Sequence, residues 1–361
     1  MKKFFRPGPN WLLVFIPISI ALEQAEASAP LIFFSAALSI IPIAKLIVHS
    51  TEQLATYTGD AIGGLLNATF GNFPELIISV AALSAGLYTM VLASLVGAIL
   101  ANLLLALGLS FLIGGTKYHV QEYNPVSARV YASMMFMAVI SLSVPSSFNS
   151  IFGAQDVLRQ ESMLNIGLAI VLLLGYGLYL FFMIKTHPEF FKSSKDEEAE
   201  HHEDRWTKGR SIISLVIASV AAAFMSEILV GAAEGTGEAL GMSATFIGIV
   251  FLAIVGGAAE SFSAVAMAQK NKMDLSVGIL LGSCIQITLF VAPILVILSL
   301  FIGPHPLHLS FPKTQMGALF FAVLIGSLVS GDGRANWFKG IQLIAIYLII
   351  ALMFFFIPEA M

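Results

Sequence analysis

Long apolar stretches alternate with short polar ones from one end of the chain to the other. A run of about 17–25 apolar residues is long enough to cross a bilayer as a helix. Eleven runs approach that length, at 11–23, 29–48, 63–86, 89–113, 126–145, 163–184, 211–231, 243–268, 275–302, 314–330 and 338–357. The pattern predicts an all-α polytopic membrane protein with about 11 transmembrane helices. The first run is the shortest and is interrupted by Pro17. The opening "MKKFFRPGPNWLLVFIPISIALEQAEASAP" imitates a signal peptide, with a basic start, an apolar middle and small residues after it. It reads here as a retained first span.

One long polar run, "KSSKDEEAEHHEDRWTKGR" at 192–210, divides the pattern. The expected segments are an N-terminal span and loop (1–28), a first five-helix repeat (29–184), an acidic cytoplasmic linker (185–210) and a second five-helix repeat (211–361). An odd number of spans per half forces the halves into opposite orientations, the mark of an inverted-repeat transporter.

Composition agrees, with 58% hydrophobic and 11% charged residues and a mean hydropathy of +0.89, whereas soluble domains carry about 25% charged residues. The net charge of −4 argues against nucleic acid as a partner. The lone Cys284 excludes an intrachain disulfide. With the N-terminus inside, all of the 18 Lys and Arg except Arg159 and Lys313 fall on the cytoplasmic side. That asymmetry predicts a multi-pass protein of the plasma (inner) membrane with a cytoplasmic N-terminus. Homo-oligomerisation is left open.

The two halves can be laid over each other. A shift of about 185 residues places "GNFPELIISVA" over "GGAAESFSAVA": Gly71 meets Gly256, Glu75 meets Glu260, Gly63 meets Gly248 and Gly97 meets Gly282. Matched glycines are common in membrane helices, but a matched intramembrane glutamate is not. Both glutamates fall near the middle of their spans, where an ionised carboxylate costs several kcal/mol unless it is partnered. Pro74 cannot donate to the carbonyl of Phe70, so the helix is expected to open just before Glu75. Gly256 and Gly257 weaken the equivalent place in the second half. Breaks at matching positions of two repeats point to an ion site, because freed carbonyls can coordinate a cation. Asn72 precedes Glu75 by three residues and shares its helical face. Asn102, Ser283 and Gln286 are central in the next spans of the two halves. The predicted metal site is therefore Glu75, Glu260, Asn72, Asn102, Ser283, Gln286, Gly71 and Gly256. Such a hard, all-oxygen, dianionic shell suits Ca²⁺ better than Mg²⁺. Each member also has a plainer reading, since intramembrane Asn and Gln often bind helices together and glycine often serves packing.

At these residues the chain resembles the cation/proton exchanger family of the calcium/cation antiporter superfamily. The resemblance rests on "GDAIGGLLNATFGNFPELI" and "SEILVGAAEGTGEALGMSATFIGIVFLAIVGGAAES" and extends over nearly the whole length. It implies one extra span followed by two five-helix repeats. It also implies that Glu75 and Glu260 are both cation ligands and proton carriers. The chain departs from the family at Gly257, where Asn is usual, at Ser261, where His is usual, at Ala98 and Ala101, where Ser is common, and at Pro74. The resemblance implies a secondary active antiporter, not an enzyme, that exchanges cytoplasmic Ca²⁺ for external H⁺ by alternating access and needs no cofactor. The alternatives are a Na⁺/Ca²⁺ or other divalent cation exchanger and, further off, a cation channel or an intramembrane enzyme. The acidic linker reads as a solvated tether, or as a device that gathers or senses Ca²⁺.

Overall fold

The computed structural model describes residues 9–58, 66, 69–152, 158–190 and 206–357. Gly63 and the acidic stretch of the linker, with His201 and His202, lie outside them. The helices are α1 (Phe15–Gln24), α2 (Ala29–Ala55), α3 (Phe73–Ser84), α4 (Tyr88–Tyr118), α5 (Pro125–Phe152), α6 (Leu158–Phe181), α7 (Lys208–Leu240), α8 (Ala244–Gly256), α9 (Ala258–Gln269), α10 (Met273–Leu298), α11 (Lys313–Ser330) and α12 (Trp337–Phe356).

Among the described residues, eight helices are long and apolar enough to cross a membrane, and nine if the pair α8 and α9, bent by 57°, counts as one span. The other two of the eleven expected spans are shorter apolar helices, Asn10–Gln24 and Phe73–Ser84. The second is short because it begins afresh after a turn at Gly71–Asn72.

The fold is not purely helical. Val120–Glu122 (β1) and Arg334–Asn336 (β2) pair antiparallel, with Gln121 opposite Ala335. Strands of three residues, with polar or exposed positions and more than 200 residues between them, leave no alternating apolar pattern to find. The tie lies where α4 and α12 run closely together. A Cβ on Gly340 would lie 2.5 Å from the carbonyl oxygen of Gly108.

Burial separates central from peripheral helices. The most apolar stretch of α4 is 94% buried and that of α10 is 78% buried, against 22–33% for α5, α6, α7 and α12. The peripheral helices expose Ile170, Leu174 and Leu178 on α6 and Ile213, Ile217 and Val220 on α7. Without a surrounding apolar phase such rows would be costly, so they face lipid. The apolar interior forms two clusters. The larger gathers around α4 and α10, with Leu100, Leu107, Leu280 and Leu289. The smaller lies between α2 and α7 and reaches Ile78, Ile247 and Val255 on α3 and α8.

Candidate cation site

Both predicted glutamates begin half-helices. Asn72 precedes the first residue of α3, so Glu75 is the third residue of that helix. Gly257 occupies the same position before α9, so Glu260 is the third residue there. The break falls at Gly71–Asn72, and Pro74 sits in the first turn after it. A missing N–H is harmless in a first turn, because no acceptor exists there within the helix. The sequence expectation of an opened helix before each glutamate thus matches the structure. Each helix thus carries its glutamate in its own first turn.

Glu75 and Glu260 are both buried. They lie close enough to act on each other electrostatically, and Glu260 sits beside Ser283 and Asn102. Among the described residues, neither oxygen of Glu75 has a hydrogen-bond partner, nor does Glu260 Oε2. Buried carboxylate oxygens in that condition call for a cation or a proton.

The predicted amides and hydroxyl are brought together in one chain. Asn102 Nδ2 donates to Ser283 Oγ at 2.8 Å, Ser283 Oγ donates to Asn72 Oδ1 at 2.7 Å, and Asn72 Nδ2 donates to Gln286 Oε1 at 2.7 Å. Every bond joins one half of the chain to the other. The chain leaves Asn102 Oδ1 without a donor. That oxygen faces Gly257: a Cβ there would be 3.3 Å from Asn102 Oδ1 and 3.6 Å from Glu75 Oε1. The missing side chain at 257 therefore leaves room bordered by two unsatisfied acceptors.

Gly71 and Gly256 play different parts. Gly71 forms the turn before α3. Gly256 is a packing position, since a Cβ there would sit 2.9 Å from Glu75 Cγ. Any side chain at 256 would displace the carboxylate.

Two features of the site carried no sequence signal. α4 contains a π-helical turn at Ala101–Ala106 and α10 one at Ile287–Val291, positions that coincide under the repeat shift. The extra residue in a π turn rotates the remainder of the helix, and such turns gather at functional sites. Here they occur at Asn102 and directly after Gln286. The second feature is the crossing of α4 with α8. A Cβ on Gly97 would lie 2.3 Å from the carbonyl oxygen of Ile249, and one on Gly248 would lie 2.9 Å from that of Met90. Glycine at both places lets the two backbones meet within two turns of the site.

The chain matches the family described as "Sodium/calcium exchanger protein" over residues 28–185 and 210–356, the two halves on either side of the linker. It is 39% identical to a Ca(2+)/H(+) antiporter of Aphanothece halophytica, with 96% of each chain covered. It is 41% identical to the Ca(2+)/H(+) antiporter ChaA of Bacillus subtilis, covering 94% of this chain and 96% of that one. Among solved structures, native YfkE superposes with a TM-score of 0.82 at 39% identity, over 97% of this chain and all of that one. The H+/Ca2+ exchanger CAX superposes with a TM-score of 0.67 at 14% identity, over 96% of this chain and 91% of that one, a likeness of fold alone.

Proposed function

The chain belongs to the sodium/calcium exchanger protein family, and from that premise we propose that it is an antiporter exchanging cytoplasmic Ca²⁺ for external H⁺ at a site built on Glu75 and Glu260. The observation that carries the reading is the pair of buried carboxylates at matching half-helix starts, with oxygens that no described residue satisfies. The relatives named as Ca(2+)/H(+) antiporters support the choice of ions.

Two carboxylates can be neutralised by one divalent cation or by protons, but not by both at once. Ca²⁺ accepts 6–8 oxygens in flexible geometry, and Glu75, Glu260 and Asn102 Oδ1 offer unsatisfied oxygens to it, with water available to complete the shell. Neutralising the site in either form allows it to be shut off from both faces. An empty dianionic site would cost much more to enclose, and this couples the two ion movements. The α2–α7 pair is the candidate moving unit. Its own apolar cluster meets α3 and α8, apart from the cluster around α4 and α10. Sliding at that seam would expose the site to one face and then the other. The protein sits in the plasma membrane with its N-terminus in the cytoplasm, on the strength of the Lys and Arg asymmetry.

The test is Ca²⁺ uptake by everted membrane vesicles under an imposed pH gradient. Uptake should track the pH gradient and collapse with a protonophore. Uptake that tracks a sodium gradient and ignores the proton gradient would replace this reading with Na⁺/Ca²⁺ exchange.

A further inference from the structure

Under the repeat shift, every member of the hydrogen-bonded chain at the cation site falls on a residue with no polar side chain. Asn72 lies over Gly257, Ser283 over Ala98, Gln286 over Ala101 and Asn102 over Ile287. The chain of bonds therefore has no mirror image in the other half. The loss is also coordinated. Asn72 bonds Ser283 and Gln286, so an amide at 257 would look for partners at 98 and 101, and all three positions lack them together.

The two glutamates consequently stand in unlike surroundings. Glu260 sits beside Ser283 and Asn102, within the bonded chain. Glu75 faces the depleted side, and neither of its oxygens has a partner among the described residues. A cavity with room for about one water molecule opens beside it. Ala98 and Ile287, two of the depleted positions, form part of its wall. A third, Gly257, borders the same carboxylate, since a Cβ there would be 3.6 Å from Glu75 Oε1.

Counting oxygens turns this asymmetry into a statement about ions. Glu75 offers two unsatisfied oxygens, and Glu260 and Asn102 offer one each. Those fall short of the 6–8 that Ca²⁺ takes. On the Glu75 side the depleted positions hold no side-chain oxygen to make up the difference, but the room there admits water, with Ser79 and Ser94 in the cavity wall as further polar partners. Water shifts to suit the size of an ion, whereas an amide oxygen held by its own hydrogen bonds does not. Selectivity between divalent ions follows cavity size, ligand number and flexibility.

We propose that Gly257 and Ala98 are specificity-determining positions: the room they leave beside Glu75 lets water complete the shell, so the site takes Sr²⁺, of equal charge and larger radius, nearly as well as Ca²⁺. This deepens the reading of Glu75 and Glu260 as the Ca²⁺ site and rests on it.

The test is calorimetric binding of Ca²⁺ and of Sr²⁺ to purified protein at one pH. No gradient is imposed, so the result does not depend on which ion drives exchange. The wild type should bind the two ions with Kd values within a few-fold of each other. Gly257→Asn places an amide oxygen where water would lie, and combining it with Ala98→Ser adds the hydroxyl that Ser283 gives Asn72 in the other half. Both variants should raise the Kd for Sr²⁺ several-fold relative to that for Ca²⁺. Gly257→Ala fills the same space without an oxygen and should weaken both ions alike. Ala98→Ser alone, a small addition facing the cavity, should move the ratio in the same direction as Gly257→Asn and keeps the test open if the 257 variants fail to fold. A wild type that rejects Sr²⁺, a ratio that no folded variant moves, or a ratio moved as far by Gly257→Ala as by Gly257→Asn would overturn the proposal. Wild-type protein that binds neither ion, or Glu75→Gln that binds both as the wild type does, would instead overturn the reading of the site itself.

Discussion

Replacing Gly97 with alanine tests the crossing of α4 and α8. The added Cβ would lie 2.3 Å from the carbonyl oxygen, 2.5 Å from the Cα and 2.7 Å from the carbonyl carbon of Ile249. Comfortable contact begins near 3.5 Å, so the two backbones must part by about 1 Å. Main-chain atoms have no rotamer to change, so the strain cannot be relieved locally. Overpacking of this kind costs about 1–3 kcal/mol. Alanine returns up to about 1 kcal/mol through its better helix propensity, which leaves a net loss. Function should suffer more than stability, because Asn102 lies five residues beyond Gly97 and Gly257 eight beyond Ile249. Gly177→Ala on α6 is the control, since its Cβ would meet nothing within 4 Å. Thermal unfolding in detergent and Ca²⁺ exchange in proteoliposomes provide the readings. Gly97→Ala should melt a few degrees lower and lose most of its exchange, while Gly177→Ala should match or slightly exceed the wild type in melting. Wild-type melting and exchange for Gly97→Ala would refute the argument.

Glu75→Gln and Glu260→Gln should each reduce Ca²⁺ exchange to background while the protein still elutes as a folded species on gel filtration; near-normal exchange by either would remove that carboxylate from the mechanism. Neutralising the acidic residues between Asp196 and Asp204 should shift the apparent Ca²⁺ affinity more than the maximal rate. The stretch leads into Trp206, whose backbone N–H donates to Gln53 at 3.0 Å and whose ring meets His49 on α2, and complete loss of transport would make the linker part of the cycle itself. Asp332 beside β2 is pushed up by partial desolvation, but its bonds to Lys339 and to the backbone N–H of Arg334 hold its pKa below the usual value. A lowered pKa stabilises above the ordinary carboxylate range and loses that contribution as pH falls through the lowered value; because Asp332 is half-exposed, Asp332→Asn should cost no more than about 1 kcal/mol at neutral pH, and a larger drop in melting would show the tie to be stronger than its exposure implies.

The sequence made Glu75 and Glu260 legible because a carboxylate inside an apolar run has no structural use of its own. The repeat was legible through the same pair, and the breaks through Gly71, Pro74 and Gly257. Other features were hidden for physical reasons. A π turn differs from its neighbours by one residue of winding, and "ANLLLA" and "ITLFV" have the composition of any membrane helix. The β1–β2 tie joins two loops across more than 200 residues by backbone bonds, which no side chain announces. Gly97 and Gly248 were visible as glycines, but the repeat shift pairs them with Gly282 and Gly63, whereas in space each meets the helix that carries the other.

The chain of bonds from Asn102 through Ser283 and Asn72 to Gln286 also bears on how the protein is made. Ser283 lies 211 residues after Asn72. A ribosome adding about 5–20 residues per second needs on the order of 10–40 s to cover that distance. Throughout that interval the first half is already emerging into the bilayer with the side chains of Asn72 and Asn102 unmatched, because their partners Ser283 and Gln286 belong to the half still unsynthesised. The newborn first repeat is thus an unfinished object whose polar interior must be tolerated by lipid, water or the insertion machinery until the second repeat closes over it.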